Sequence, residues 1–279
     1  MREQAPATGR SETREIAELR RLKDEQPDLA SAADLQIELL QLQKRVMSRV
    51  SLPTISLDSD HLKSLLGTGP ILQFEHLPMD WSDMRFLMRA TASAMRTHDA
   101  IDDVDCRKAE ALSRDAERLR TVARTWYESA RPGAPPLDAE AGLESVFQQS
   151  MRPFLTRAAD AIMARSDFSG WTKGSCPLCG GEPDLAVITP AADRLLICGR
   201  CAARWRFEQL TCPFCLNRDR GKITSFASRD GQYRLYACDV CQRYLKAYDS
   251  RRASRPVMPA VDAVATLPLD AAAIQRGYK

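Results

Sequence analysis

Cys176-Pro177-Leu178-Cys179, Cys198-Gly199-Arg200-Cys201, Cys212-Pro213-Phe214-Cys215 and Cys238-Asp239-Val240-Cys241 place four C-x-x-C pairs within residues 176–241. Two residues between cysteines let a tight turn aim both thiolates at one metal ion, with zinc–sulfur bonds of about 2.3 Å, so one pair supplies half of a tetrahedral site. Four pairs make two four-cysteine sites with no ligand left over. Eighteen residues separate the first pair from the second, inside the spacing at which two knuckles close on one ion, and twenty-two separate the third from the fourth, slightly beyond it. Sequential pairing closes shorter loops than an interleaved arrangement and costs less chain entropy. Cys176, Cys179, Cys198 and Cys201 are therefore expected to share one ion, and Cys212, Cys215, Cys238 and Cys241 the other.

Proline follows the first cysteine in two of the pairs, and Gly180 follows Cys179, where a residue free to take positive φ suits the end of a knuckle. A redox C-x-x-C would open a helix within a βαβ pattern, and no such pattern surrounds these pairs. The sequence thus predicts two zinc-ribbon or rubredoxin-like modules in tandem over residues 170–250. Spacing alone does not choose between iron and zinc, because both accept tetrahedral thiolate ligands.

Outward from this stretch the texture is different. Short β-rich runs at 185–188, 194–197 and 233–236 lead into the knuckles, whereas residues 29–169 read as helices. Leu35, Leu39, Leu42 and Val46 form one stripe of an amphipathic helix over 34–50, which Pro53 is expected to end. Asp80 is placed to cap a helix carrying Met84, Leu87, Met88, Thr91 and Met95. Leu112, Leu119, Val122, Ala123 and Trp126 read as one further stripe, ending before a loop at 132–136, and a last helix over 137–164 should be kinked or split at Pro153. The expected architecture is α+β: a polar leader at 1–28 with one short helix at 11–23, an all-helical domain at 29–169, the two four-cysteine modules at 170–250 and a C-terminal tail at 251–279.

Eight of the nine cysteines lie in the metal-site window, which points to a reducing compartment rather than a disulfide framework. The N-terminal residues lack an apolar stretch of signal-peptide type, although Arg20-Arg21 is a twin arginine, and no run of eighteen apolar residues occurs, so a cytoplasmic chain without a membrane span is expected. The formal charge is +3; eight thiolates subtract eight and two divalent ions restore four, leaving −1. Nucleic acid has no global electrostatic case in such a chain. Arg194, Arg200, Arg204, Arg206, Lys222, Arg243 and Lys246 are expected to offset the local charge of the thiolate sites, the alternative being a partner-binding surface, and Trp205, Phe207, Phe214, Tyr236, Tyr244 and Tyr248 are expected to pack around the knuckles. His61, His76 and His98 are scattered, and Asp102, Asp103 and Asp105 beside Cys106 lack a second ligand at metal spacing, reading instead as a solvated helix end. No phosphate loop, dinucleotide fingerprint or nucleophile elbow is visible.

The four pairs in their setting, with Leu196-Ile197 before the second, Trp205 after it and Gln242-Arg243-Tyr244-Leu245-Lys246 after the fourth, resemble the formate dehydrogenase accessory protein FdhE family. The resemblance runs into the segment 261–270 and the terminal Gly277-Tyr278, but departs at Ala263, where a second acidic residue is expected, and at Pro268. It implies a cytoplasmic maturation factor, not an enzyme, that binds the catalytic subunit of a respiratory formate dehydrogenase before export. It also implies iron at the eight cysteines and makes Tyr244, Lys246 and the tail around Asp262 candidate partner contacts. Two other classes fit parts of the chain: a nucleic-acid-binding zinc-ribbon protein and a rubredoxin-like electron carrier.

Overall fold

The computed structural model describes residues 13–130 and 141–279. The loop expected at 132–136, and the start of the leader with the first two residues of its helix, lie outside the described residues. Thr13 caps α1 (Arg14–Glu25), its hydroxyl accepting from the Ile16 N–H at 3.4 Å, and Ile16, Leu19 and Leu22 bury one face of it. The leader helix is thereby part of a packed layer. Leu19 and Leu22 join Leu29 and Ala33, the latter in α2 (Ala30–Met47), and meet Val261 and Val264 of α8 (Pro259–Ala265).

Leu39, Leu42 and Val46 of α2 are buried as the stripe requires, but Pro53 does not end the helix. The chain leaves it earlier through tight bonds from Arg49 N to the Val46 carbonyl (3.0 Å) and from Val50 N to Met47 (3.3 Å), while the Arg49 side chain is drawn to Asp83 of α4 (Trp81–Thr97). Asp80 does cap α4, accepting from Ser82 N at 2.8 Å and Asp83 N at 3.0 Å. A short α3 (Ser59–Thr68), capped by Asp58, lies between α2 and α4.

The stripe from Leu112 to Trp126 belongs to two helices, not one. α5 (Asp103–Arg114) and α6 (Ala116–Glu128) meet at Asp115, whose extended backbone stops the first while its side chain caps the second at Arg118 N. Asp102 is the cap of α5, accepting from Asp105 N at 2.8 Å, in line with its reading as a helix end.

α7 (Ala141–Met163) runs through Pro153 as one helix, against the expected split. Proline has no N–H for the carbonyl four residues earlier, which is that of Gln149. The Gln43 side-chain amide from α2 donates to this carbonyl at 3.1 Å, so a neighbouring helix supplies the missing bond.

After α7 the chain forms one six-stranded sheet, in the order β3-β2-β1-β6-β5-β4. β1 (Pro183–Ile188), β2 (Arg194–Cys198) and β3 (Arg204–Phe207) make the first antiparallel ribbon. β4 (Ile223–Ala227), β5 (Tyr233–Cys238) and β6 (Arg243–Asp249) make the second. The ribbons are consecutive in sequence but fused in space, because β1 and β6 pair in parallel from Leu185↔Lys246 to Ile188↔Asp249.

Side chains alternate across the sheet with a period of two. Ala186, Ile188, Leu196, Trp205, Leu245 and Ala247 join the helical core with Trp126, Phe147 and Phe154. The opposite face, with Leu235 and Ala237, is covered by Ala273 and Leu269 of α9 (Leu267–Gln275). The tail thus lays α9 on the second face of the sheet and packs α8 against α1 and α2. Among the described residues no helix is long and apolar enough to cross a membrane.

Candidate metal centres

Each C-x-x-C sits on a turn of the same make. In every one the residue after the second cysteine adopts positive φ: Gly180 at 79°, Ala202 at 59°, Leu216 at 61° and Gln242 at 55°. That residue's N–H returns to the carbonyl of the first cysteine, at 3.0 Å for Gly180, 3.1 Å for Ala202, 2.9 Å for Leu216 and 2.9 Å for Gln242. The turn frees backbone donors for sulfur, as Leu178 N shows toward Cys176 and Arg200 N toward Cys198, both at 3.4 Å. Only Gly180 signals this conformation by residue type. The other three positions become legible once the register after each second cysteine is compared.

The knuckles converge in two groups, Cys176, Cys179, Cys198 and Cys201 in one and Cys212, Cys215, Cys238 and Cys241 in the other, with the sulfurs of each group within 4.8 Å of one another. The sulfurs sit 3.6 Å apart for Cys176–Cys201 and 3.5 Å for Cys179–Cys198, and in the second group 3.6 Å for Cys212–Cys241 and 3.7 Å for Cys215–Cys238. A tetrahedron with metal–sulfur bonds of about 2.3 Å has edges of about 3.8 Å. Both groups therefore have the donor set and size for one tetrahedral ion each.

Electrostatics agree with that fit. Burial pushes the Cys176 thiol well up, and hydrogen bonding with Cys176, Cys179 and Cys198 pushes Cys201 well up. Cys198 moves well down, because bonds from the three other thiols outweigh its burial. Four sulfurs packed this closely cannot all ionise without a cation among them. In the second group burial raises Cys212 and Cys241, while N–H donors from Cys241 and Val240 overcome burial at Cys238 and lower it.

The two groups differ in setting. All four cysteines of the first are buried and belong to the main core. The first knuckle is stitched to the helical layer by backbone bonds from Ile71 N to Pro177 O at 3.0 Å and from Leu72 N to Leu178 O at 2.9 Å. Arg200, between Cys198 and Cys201, lies 4.1 Å over the Trp126 ring and donates to the Trp126 and Tyr127 carbonyls at the end of α6, at 3.0 and 3.1 Å. In the second group Cys215 is exposed and Cys241 half-buried.

The ribbons are locked to each other near the knuckles. Arg243 grips Glu182 with two bonds of 2.7 and 2.6 Å and lies 3.7 Å over Phe214, and the carboxylate raises the guanidinium's pKa. Gly174 passes so close to the second ribbon that a Cβ there would meet the Pro213 carbonyl at 1.9 Å. Trp205 and Phe207 are buried in the core as expected, but Tyr248 is turned to the tail, its hydroxyl bonding the Arg255 carbonyl at 2.5 Å.

Of the candidate partner contacts, Asp262 and Lys246 are buried and Tyr244 is half-buried. Asp262 is 0 % exposed and bonds Tyr233 Oη, Arg255 and the Met258 N–H at 2.7, 2.6 and 2.7 Å. Tyr244 and Lys246 both donate to Asp270, at 2.8 and 2.7 Å. These bonds hold the tail on the sheet, while Tyr244 and Asp270 stay half-buried and, with Lys246, line an open cleft. Of the basic residues near the cysteines, Arg206 pairs with Asp193 and Arg194 is buried, donating to the Thr211 carbonyl at 2.8 Å.

No family model matches the chain. It is 22 % identical over 263 residues to a protein FdhE homolog from Aquifex aeolicus (strain VF5), covering 92 % of this chain and 88 % of that one. It is 32 % identical over 121 residues to protein FdhE of Escherichia coli (strain K12), covering 41 % of this chain and 38 % of that protein. The crystal structure of the FdhE protein from Pseudomonas aeruginosa superimposes with a TM-score of 0.59 at 19 % identity, over 95 % of this chain and 92 % of that one, and shows the same fold.

Proposed function

We propose, from its likeness to FdhE proteins along most of its length, that the chain is a member of the FdhE family and a cytoplasmic accessory factor for formate dehydrogenase, binding the catalytic subunit before export and catalysing no reaction of its own. Two metal ions, iron or zinc, are held by Cys176, Cys179, Cys198 and Cys201 and by Cys212, Cys215, Cys238 and Cys241. The observation that carries the reading is the pair of four-cysteine groups of tetrahedral size in a chain whose likeness to an FdhE homolog spans 92 % of its length. The ions' contribution is cohesion, since structural zinc at such sites is worth about 10–16 kcal/mol to a small ribbon. The helical layer and the fused sheet offer a rigid surface to a large partner.

The nucleic-acid reading is weakened by the ion pairs that occupy Arg206, Arg243 and Lys246. Deletion of the gene should abolish respiratory formate oxidation, the purified protein should turn over no formate, and the catalytic subunit should co-purify with it from extracts. A deletion strain with full formate dehydrogenase activity would overturn the assignment.

A further inference from the structure

We propose that the two four-cysteine groups have different jobs: the first is a closed structural centre, and the second is an exchange-accessible one that opens at Cys215 to an incoming sulfur or nitrogen donor ligand. The inference rests on the metal assignment above and concerns which sulfurs can let go of an ion while the rest of the molecule stays folded.

In the first group every sulfur is buried under the helical layer. To expose any of them, the chain must break the bonds of Ile71 and Leu72 to the first knuckle or lift Arg200 from the end of α6. Those contacts belong to the main core, so opening costs a large part of the global stability. In the second group no such cover exists over Cys215, which is exposed. Cys241 is half-buried, and neither cysteine belongs to the main hydrophobic core.

A ligand can therefore approach Cys215 without prior unfolding. The exchange balances as a substitution: the incoming donor takes the coordination position, Cys215 leaves as a thiolate, and any proton lost by the donor passes to Cys215 or to water. No oxidant or reductant is required.

The knuckle tips put Leu216 (57 % exposed) and Val240 (58 % exposed) into solvent, each next to a cysteine of this group, so the approach to Cys215 is open.

The test uses the zinc-loaded full chain mixed with excess pyridylazoresorcinol, a coloured chelator with nitrogen and oxygen donors, with iodoacetamide trapping freed thiols for peptide mass mapping. Zinc content is measured first: two ions per chain are expected, and fewer would overturn the metal assignment and this inference with it. With two ions bound, half of the zinc should leave in a phase about a hundredfold faster than the rest, because only the slow half waits for sub-global opening. Label in the fast phase should fall on Cys212, Cys215, Cys238 and Cys241. Cys215→Ser should speed or abolish the fast phase and leave the slow one unchanged. Release at a single rate, or first label at Cys176, Cys179, Cys198 or Cys201, would overturn the division of roles while leaving the metal assignment standing.

Discussion

Arg200→Met tests whether the first centre is fastened to the helical layer through one side chain. The guanidinium makes bonds of 3.0 and 3.1 Å to the Trp126 and Tyr127 carbonyls and stacks 4.1 Å over the indole. Both carbonyls belong to the last turn of α6, where the backbone supplies no intrahelical donor and a cation is favoured by the helix dipole, although the Ser129 hydroxyl also donates to the Trp126 carbonyl at 2.7 Å. Hydrogen bonds to a charged group contribute about 1.5–3 kcal/mol each and a cation–π contact about 1–2 kcal/mol. These are not additive, and methionine keeps the apolar stem, so the expected loss is about 3 kcal/mol.

In a chain of this size such a loss lowers the thermal midpoint by roughly 5–10 °C. Arg200→Lys keeps the charge without the fork and should recover about a third of the loss. The assay is thermal unfolding of the metal-loaded protein followed by circular dichroism, with zinc release as a second readout. Slow-phase zinc release should quicken in Arg200→Met while the fast phase stays as in the parent. A midpoint within about 1 °C of the parent would show that the side chain fastens nothing and would refute the argument.

Replacing Cys176 and Cys179 together by serine should remove one of two ions and leave the second, measured by elemental analysis; loss of both ions from a protein that stays folded would argue against the sequential grouping. Gln43→Leu strands the Gln149 carbonyl and should cost about 1–3 kcal/mol in denaturant unfolding, and the cost should be smaller in a Pro153→Ala background, where the alanine supplies a backbone N–H of its own. Asp249 is held at a pKa of about 2, chiefly by hydrogen bonds from Arg251 and then from Arg234. Because the folded value is depressed, its contribution is complete above the ordinary carboxylate pKa and is lost as pH falls from about 4 through about 2. Asp249→Asn should therefore destabilise the protein at pH 7 by up to about 2 kcal/mol, and the gap between variant and parent should close over that acid window; a gap independent of pH would contradict it.

The sequence by itself determined what depends on neighbours a few residues apart. C-x-x-C turns form locally, so the eight cysteines and their grouping were legible from spacing, as were the buried stripe of α2, the Asp80 cap and the end of α5 at Asp102. Tertiary structure decided whatever required a partner far along the chain. Pro153 stays inside α7 because Gln43 lies across from it, and the stripe around Leu112 and Trp126 divides because Asp115 serves as the end of one helix and the cap of the next. The parallel pairing of β1 with β6 turns two tandem ribbons into one sheet, and the tail is held in place because Asp262 and Asp270 find their partners on β5 and β6. Chemically the two four-cysteine groups are alike, each with four thiols on two equivalent turns. What separates a buried centre from an open one is which of them the helical core covers, and no local pattern of residues carries that information.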